Sequence, residues 1–392
     1  MSEEKTTISR RGFLKGAAMG VMGGTVLGMG LFSYSPWRKA YFPEVKRKLA
    51  DIGVCKSVKV TNISETSWFE NAVLMKDIKE AGGLLVNQYS YNWPPFGDGT
   101  GLGKGSYEKG IAKIKHLLPN QLEEAWALTE KLSVSPQNAG GFAALIEIEE
   151  LGGRKRKFLL DSGWSYQWMD ECFKREGIDQ MLKNDEIEAF IISHEHFDHF
   201  WGIPVVFKYN PNITLYYPQG FYPEGLQYLK DAGHRGKQVE VKSGQLNRLI
   251  PGLATYNFPV PIICRVYGEQ SIYVNVKDHG LVSITGCCHF GIIQFSETAF
   301  REIKYEKDQL YGIYGGLHIS PFEDWDPKYD DLVLSLGKYG FKKIGCNHCT
   351  GILCAKKFIE AGYPVIKGTA RHRSKDTAYL GNGDKIGYGI EV

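Results

Sequence analysis

The sequence predicts an α/β (α+β) fold in which short apolar strands alternate with helices. The first observation is a strand–helix–strand order over residues 157–192, where apolar runs flank two segments of helical character. The second is that apolar runs ending near residues 192, 285, 317 and 347 are each followed closely by a histidine. Since strand ends gather at one edge of a parallel-type layer, this recurrence predicts a single site at that edge.

The segment after the strand predicted at 189–192 carries the densest pattern, with His194, His196, Asp198 and His199 close together. Imidazole and carboxylate groups are the ligands that borderline divalent metals such as zinc prefer. His194 and His196, two residues apart, can point to one side. Asp198 and His199 follow on the turn and can serve a second ion nearby. Such a density of histidine disfavours a chance cluster in an exposed polar loop.

The pattern His-x-His-x-Asp-His at the end of an apolar strand resembles the signature of the metallo-β-lactamase superfamily. The resemblance implies an αββα sandwich with a one- or two-metal site at the edge between its sheets. A strand ending in Asp161-Ser162-Gly163 before a helix is another feature of that superfamily, where the aspartate braces the metal loop. Asp161 would then orient ligand imidazoles by hydrogen bonding. Alternatively, Asp161 or Ser162 is simply a helix N-cap.

Composition restricts the classes of function. The chain of 392 residues is 43% hydrophobic and 13% aromatic, which suits a packed core of enzyme size. Its 47 basic and 44 acidic residues leave a net charge of +3, so nothing general favours binding to nucleic acid or membrane surfaces. We therefore expect no nucleic-acid partner. The expected partner, a small-molecule substrate that could be phosphorylated, follows from the metal-site pattern and not from composition.

The N-terminal segment predicts export. Residues 9–15, Ser-Arg-Arg-Gly-Phe-Leu-Lys, match the twin-arginine consensus, and a weakly apolar, glycine-rich stretch follows at 16–33. We assign 1–35 to a twin-arginine signal, 36–54 to a basic linker and 55–392 to the metal-binding domain. The twin-arginine translocase is then a partner during export. The mature protein would be periplasmic, either released or anchored by an uncleaved signal.

Further elements follow the pattern of apolar residues along the domain. A glycine- and proline-rich loop and one helix occupy about 69–136, which we interpret as an insertion that could form a lid or rim over the site. The predicted strands are 57–63, 142–148, 157–160, 189–192, 214–217, 238–241, 254–258, 271–276 and 281–285. The predicted helices of the domain are 166–175, 178–183, one beginning at 201–207, 225–232, and one from about 353.

Three later motifs narrow the resemblance. They are Thr-Gly-Cys-x-His-x-Gly-Ile at 285–292, Gly-Gly-x-His at 315–318 and His-Cys-Thr-Gly at 348–351. Together they look like the branch containing the dihydropterin ribofuranosylaminobenzene-phosphate synthase-like proteins. The chain departs from that branch at 138–141, where Glu-His-Gly is usual, and at Glu195, where glycine is common. Both departures lie near the expected site, and export also argues against a cytoplasmic biosynthetic substrate.

The metal ligands are assigned as His194, His196, Asp198, His199, His289 and His348, with Asp198 and His318 in catalytic roles. The resemblance implies that His348 is the last ligand of the set. Cys287 stands where relatives often place a bridging aspartate, so Cys287 or His289 is a ligand, and we favour His289.

Several side chains near these ligands have open roles. His318 is a ligand or polarises the substrate, and we favour the second role. Cys346 and Cys349 form a disulfide beside His348 or contribute to metal binding. The basic clusters 234–237 and 371–375 are solvated surface unless they reach the site, where paired guanidinium bonds would hold phosphate.

The leading hypothesis is an exported hydrolase with one or two divalent metal ions, foremost zinc, with iron or manganese as alternatives. A metal-activated water would attack a phosphoester or a related ester. A synthase-type transferase of the dihydropterin-phosphate kind is the alternative enzyme. A non-catalytic metal or redox accessory protein is the third hypothesis, suggested by the cysteines at 287, 288, 346 and 349.

Overall fold

The computed structural model describes residues 49–65 and 140–392, apart from 222, 263–265, 306, 308, 322 and 324. The predicted signal at 1–35, most of the linker and the insertion at about 69–136 therefore lie outside the described residues. Of the helices within the described ranges, none is long and apolar enough to cross a membrane.

Two β-sheets form the centre of the fold. The first has seven strands, which are in spatial order β13 (Lys385–Tyr388), β1 (Ser57–Ser64), β2 (Ala143–Glu149), β3 (Lys155–Leu160), β4 (Ala189–Ile191), β5 (Thr214–Pro218) and β6 (Gln238–Val241). The second has six, in the order β12 (Lys343–Asn347), β11 (Leu310–Gly316), β10 (Gly280–Thr285), β9 (Val266–Val276), β8 (Leu253–Ile262) and β7 (Leu246–Ile250). The parallel runs β3–β6 and β10–β12 bring several strand ends to one edge.

Helices cover the outer faces of both sheets. They are α1 (Tyr166–Arg175), α2 (Ile178–Lys183), α3 (Phe197–Phe200), α4 (Ile203–Tyr209), α5 (Pro223–Asp231), α6 (Ile292–Glu302), α7 (Lys328–Leu336) and α8 (Ile352–Glu360). Short 3-10 turns follow at Gly337–Tyr339 and His348–Thr350.

Strand alternation sorts the apolar side chains into layers. On β2, Ala144 and Ile146 lie in the cluster between the two sheets, whereas Ala143 and Leu145 join the cluster with α1, α2 and α4. Successive residues of a strand face opposite sides, which is why one short strand contributes to two cores. A third cluster packs α6, α7 and α8 on the second sheet. The predicted α/β fold with an αββα order of layers is confirmed.

Helix α1 begins as its local sequence dictates. The Ser165 side chain accepts a hydrogen bond from the Trp168 N–H at 3.4 Å, which makes Ser165 the N-cap. Lys174 and Arg175 in the last turn favour the negative end of the helix dipole. The interpretation of Asp161 or Ser162 as the N-cap is therefore wrong, and Asp161 has a different role at the site.

Some elements are absent from the sequence prediction. Strand β7, Leu-Asn-Arg-Leu-Ile, is half-polar and only partly buried, and β13 contains a glycine, so both have weak strand patterns. Helix α6 was also missed, although Ile292, Phe295 and Ala299 follow a helical spacing. Helix α7 was missed too. Ile52 falls in the segment 36–54 that the sequence predicts to be a linker. In the structure it is 2% exposed and belongs to the apolar core that packs on the second sheet.

A glycine allows the first sheet to contact the histidine-rich loop. Gly141 has φ +102°, and a Cβ there would lie 2.4 Å from the Asp198 carbonyl oxygen and 2.6 Å from Gly163 Cα. The next residue, Phe142, donates its N–H to the same Asp198 oxygen at 2.8 Å. Any side chain at 141 would push these two backbones apart. Residues 138–141 differ from the Glu-His-Gly that is usual in the related branch, but they keep a glycine where the close contact requires one.

We predict that Gly141→Ala lowers the free energy of unfolding by on the order of 3 kcal/mol, because it adds a steric overlap to an unfavourable backbone conformation. Urea unfolding followed by circular dichroism measures the loss. Gly152→Ala is the matched control, since a Cβ at Gly152 meets no heavy atom within 4 Å; its effect should stay within about 0.5 kcal/mol. Equal stability of the two variants would contradict the close packing at 141.

Candidate metal centre

The histidines predicted from strand ends converge at the edge between the two sheets. His194 and His196 follow β4, and Asp198 and His199 lie on the single turn of α3. From the second sheet, His289 follows β10 and His348 directly follows β12. The ring centroids of His194 and His289 are 4.8 Å apart, and those of His199 and His348 are 4.9 Å apart. Each sheet thus contributes part of one cluster.

The cluster divides into two sets of donor atoms. In the first, His194 Nε2 lies 3.1 Å from His196 Nδ1, and the His196 ring is centred 4.7 Å from that of His289. In the second, His348 Nε2 lies 3.2 Å from both His199 Nε2 and Asp198 Oδ2. Two nitrogens bound roughly 2.0 Å from a tetrahedral zinc ion lie about 3.3 Å apart. The donor spacing in both sets therefore fits divalent metal ions.

Buried outer partners orient the imidazoles. His199 Nδ1 lies 2.7 Å from Asp161 Oδ2, and His289 Nδ1 lies 2.9 Å from Glu269 Oε1. His194 Nδ1 is 2.8 Å from Ser193 Oγ. Because Nδ1 of each ring is engaged, its Nε2 presents a lone pair to the cluster, as in histidine–carboxylate pairs at metal sites.

The orientation of His289 supports the fit of a metal ion. His289 is fully buried, and its Nε2 has no hydrogen-bond partner among the residues that the structure describes. A buried nitrogen left without a partner is costly in free energy. A cation held with His194 and His196 would engage that lone pair, so the donor set suits the group that the sequence predicts.

The protonation states also favour cation binding. Burial and the neighbouring histidines lower the pKa of His194 well below its usual value, and burial lowers the pKa of His199 to about 3. Burial would raise the pKa of Asp198, but His199 and His348 outweigh it and leave that pKa below the ordinary value. His194 and His199 are thus neutral and the Asp198 carboxylate is ionised near neutral pH, the forms that bind metals.

Cys287 lies at the centre of the cluster. Its Sγ is 3.1 Å from His199 Nε2, and it forms three-residue groups with His194 and His289, and with His199 and His348, whose donor atoms all lie within 4.8 Å of one another. The sequence predicts that Cys287 or His289 is a ligand after β10, and it favours His289. The structure places both against the cluster, so the two residues are not exclusive alternatives.

His318 and Cys349 form a further edge of the site. The His318 ring is centred 4.3 Å from that of His289, and burial lowers the pKa of His318 well below its usual value. Cys349 Sγ lies 3.2 Å from Cys287 Sγ. The described cysteines are all free, so the Cys346–Cys349 disulfide, one of the two roles considered for this pair, is absent, and Cys346 packs in the core beneath α6–α8.

The structure resolves the two roles considered for Asp161. Its Oδ1 and Oδ2 accept hydrogen bonds from the N–H and the hydroxyl of Ser193, both at 2.6 Å, in addition to contacting His199. Asp161 therefore braces the histidine loop from within the core. Ser193 and Glu269 were missed by the sequence analysis. Ser193 stands directly before His194, but Glu269 is 20 residues from His289, and only strand pairing brings them together.

The basic clusters differ in their surroundings. His234 Nε2 donates a hydrogen bond to the Ile213 carbonyl oxygen at 2.8 Å and the ring packs on Phe207, so His234 has a structural role. In the second cluster, Arg373 lies over the Trp168 ring at 4.9 Å. Ser374 of this cluster donates to the Glu65 carboxylate at 2.8 Å, and the Glu65 carbonyl oxygen lies 3.4 Å from His348 Nδ1. This segment is therefore linked to the His348 imidazole through Glu65.

The chain is similar to characterised proteins. A curated relative is the 7,8-dihydropterin-6-methyl-4-(beta-D-ribofuranosyl)-aminobenzene-5'-phosphate synthase of Methanocaldococcus jannaschii, 24% identical over 255 residues, which cover 56% of this chain and 84% of the relative. Among solved structures, the metallo-beta-lactamase fold protein YhfI of Bacillus subtilis is 14% identical with a TM-score of 0.39, over 62% of this chain and 90% of that one. Zn(2+)-bound PqqB of Methylobacterium extorquens is 12% identical with a TM-score of 0.37, over 56% and 82%.

A sequence model of the Metallo-beta-lactamase superfamily matches residues 140–270. The match begins one residue before Gly141, which packs against Asp198, and ends just beyond Glu269, so it includes the His194–His199 loop and the buried carboxylates of Asp161 and Glu269. Residues 140–270 are therefore similar to the metallo-β-lactamase superfamily in the part that carries the histidine loop.

Proposed function

We propose that this protein is a metal-dependent hydrolase with two ion sites, acting on a phosphoester or a related ester. The observation that carries the proposal is the convergence of imidazoles from both sheets and one carboxylate on two adjacent donor sets. A divalent ion pair, when bound, lowers the pKa of water and polarises a substrate oxygen.

The proposed ligands form two sets, one for each metal ion, and the substrate would reach the ions from one side. His194, His196 and His289 would hold one ion, and Asp198, His199 and His348 the other, with Cys287 available to either. His196 is only partly buried, whereas the other ligands are buried. A substrate would therefore reach the centre past His196.

Two side chains have roles beyond ion binding. Asp198 would supply negative charge to its ion, and its carboxylate oxygen would accept a hydrogen bond from the attacking water and so orient that water. His318 is neutral and buried beside His289, so it would hydrogen bond to a substrate oxygen on which charge develops.

The synthase-type transferase is the second candidate. The curated relative from Methanocaldococcus jannaschii, 24% identical, supports it, because that protein is named for such a reaction. In this case the ions would bind an acidic group of the substrate, and solvent oxygen would not enter the product. Basic residues of 371–375, linked to His348 through Glu65, would then be suited to a phosphate group.

We also propose export to the periplasm by the twin-arginine route, from the Ser-Arg-Arg-Gly-Phe-Leu-Lys segment at 9–15. Folding before export would allow metal to be loaded in the cytoplasm. An anchored form, kept by the uncleaved signal, is distinguished from a released one by membrane fractionation.

The metal sites lead to a direct prediction. Protein purified without chelator should contain one to two equivalents of zinc, iron or manganese, and His196→Ala should lose at least one, because it removes a donor from the first set. Elemental analysis by mass spectrometry measures the content.

The matched control is His372→Ala, which changes an exposed histidine outside the cluster. It should retain the wild-type metal content. If His196→Ala and His372→Ala both keep full metal, the assignment of the first set is wrong.

Asp198 separates catalysis from passive metal binding. Asp198→Asn keeps the shape of the side chain but removes its charge, so the protein should fold while kcat falls roughly a hundredfold or more. The assay uses whichever chromogenic phosphodiester, phosphomonoester, lactone or carboxylic ester the wild type turns over. Asp179→Asn changes a buried aspartate paired with Lys183 instead, and should leave kcat unchanged.

Turnover in oxygen-18 water distinguishes the candidate functions. A hydrolase places one solvent oxygen in its product, and a synthase-type transferase places none. Near-full activity of Asp198→Asn would refute the role given to this carboxylate, and a complete lack of turnover across the panel would contradict the proposed hydrolase.

The export proposal is tested at the paired arginines. Arg10→Lys with Arg11→Lys should leave the protein in the cytoplasm, because the translocase reads the guanidinium pair. Cell fractionation with immunodetection measures this. Replacing Lys15 with arginine keeps the pair and should leave export intact. A double lysine variant that still reaches the periplasm would contradict the twin-arginine assignment.

A further inference from the structure

Two cysteines from separate strands meet beside the metal centre. Cys287 follows β10 and Cys349 lies in the turn after β12, with β11 between those strands. Their Sγ atoms are nevertheless 3.2 Å apart, and both side chains are buried and reduced. A disulfide bond is about 2.05 Å long. Side-chain rotations that bring the two sulfur atoms closer by roughly 1 Å would therefore allow the bond to form.

The intervening strand permits this contact because it ends in glycine. A Cβ at Gly316 would lie 2.6 Å from Cys349 Sγ and 2.5 Å from the Gly286 carbonyl oxygen. Gly316 donates its N–H to that same oxygen at 3.1 Å. The absence of a side chain at the end of β11 thus opens the space in which the two sulfurs lie together.

The pairing is specific among the nearby cysteines. Cys288 and Cys346 pack in the apolar cluster under the helices of the second sheet, with Cys354. Cys287 and Cys349 lie outside that cluster and form, with His318, a group whose donor atoms are within 4.8 Å of one another. Cys288 and Cys346 therefore lie away from the site, although Cys288 directly follows Cys287 in the chain and Cys346 is close to Cys349.

We propose that Cys287 and Cys349 form an oxidation site, at which a small peroxide produces an intramolecular disulfide. One cysteine sulfur attacks hydrogen peroxide as its thiol gives up the proton; the oxygen–oxygen bond breaks, the sulfur keeps one oxygen as a sulfenic acid, and the other oxygen leaves as water. The second thiol displaces the sulfenic oxygen, forming the sulfur–sulfur bond and a second water. Two thiols lose two hydrogens and two electrons in total, and the peroxide takes them up.

The disulfide would compete with metal binding. Cys287 Sγ belongs to the groups of both ion sets, and a sulfur bonded to Cys349 no longer offers a thiolate donor. Oxidation would therefore weaken metal retention, and reduction would restore it. Thiol oxidation and metal content can both be measured without substrate, so they do not depend on which substrate the centre acts on.

The experiment counts thiols in the purified, full-length protein before and after stoichiometric hydrogen peroxide. After denaturation without reductant, alkylation and mass spectrometry should find six free thiols where the untreated chain has eight cysteines. Dithiothreitol should return the count to eight. Released metal, measured in parallel, should rise as the disulfide forms.

Cys349→Ser should form no disulfide, whereas Cys346→Ser, a buried neighbour on β12, should lose two thiols as the wild type does. Fragmentation of the cross-linked wild-type peptides identifies the joined residues even if a variant fails to fold. The proposal is overturned if the wild type keeps all eight thiols, or if the bond joins any pair other than Cys287 and Cys349. If the disulfide forms and no metal is released, the proposed competition between disulfide formation and metal binding is wrong.

Discussion

The site depends on one fully buried carboxylate. Asp161 accepts two hydrogen bonds from Ser193 and contacts His199 Nδ1, so it joins the segment before His194 to the helical turn that carries Asp198 and His199. A buried carboxylate is tolerated only when its oxygens are engaged. The loop conformation and the position of Asp161 therefore stabilise each other, and the Nε2 of His199 is directed at the cluster as a result.

Glu269 has the corresponding role on the second sheet. It contacts His289 Nδ1 and accepts the Phe290 N–H at 3.2 Å; burial would raise its pKa, but His289 and these hydrogen bonds keep the pKa below the ordinary value. Each sheet thus carries its own buried carboxylate and its own imidazole. Since the apolar cluster between the sheets determines how they face each other, core packing also determines the separation of the two donor sets.

The same burial has opposite consequences for imidazoles and thiols. It keeps His194 and His199 neutral, with lone pairs available, and it raises the pKa of Cys287 well above its usual value. A thiol in such a place stays protonated unless a cation replaces the proton. Binding of metal and formation of a sulfur–sulfur bond are therefore alternative ways for Cys287 to lose its hydrogen, and the contact with Cys349 makes both available.

The sequence by itself determined the histidine loop, the order of strands and helices before it, and the strand ends at His289, His318 and His348. These are local properties, because periodicity and spacing within a short segment decide which residues are buried and where a strand ends. Only the tertiary structure decided that Glu269 supports His289 and that Cys349 faces Cys287 instead of Cys346. Such partners depend on the pairing and packing of strands distant in the chain, and no local pattern encodes which distant side chain will lie opposite.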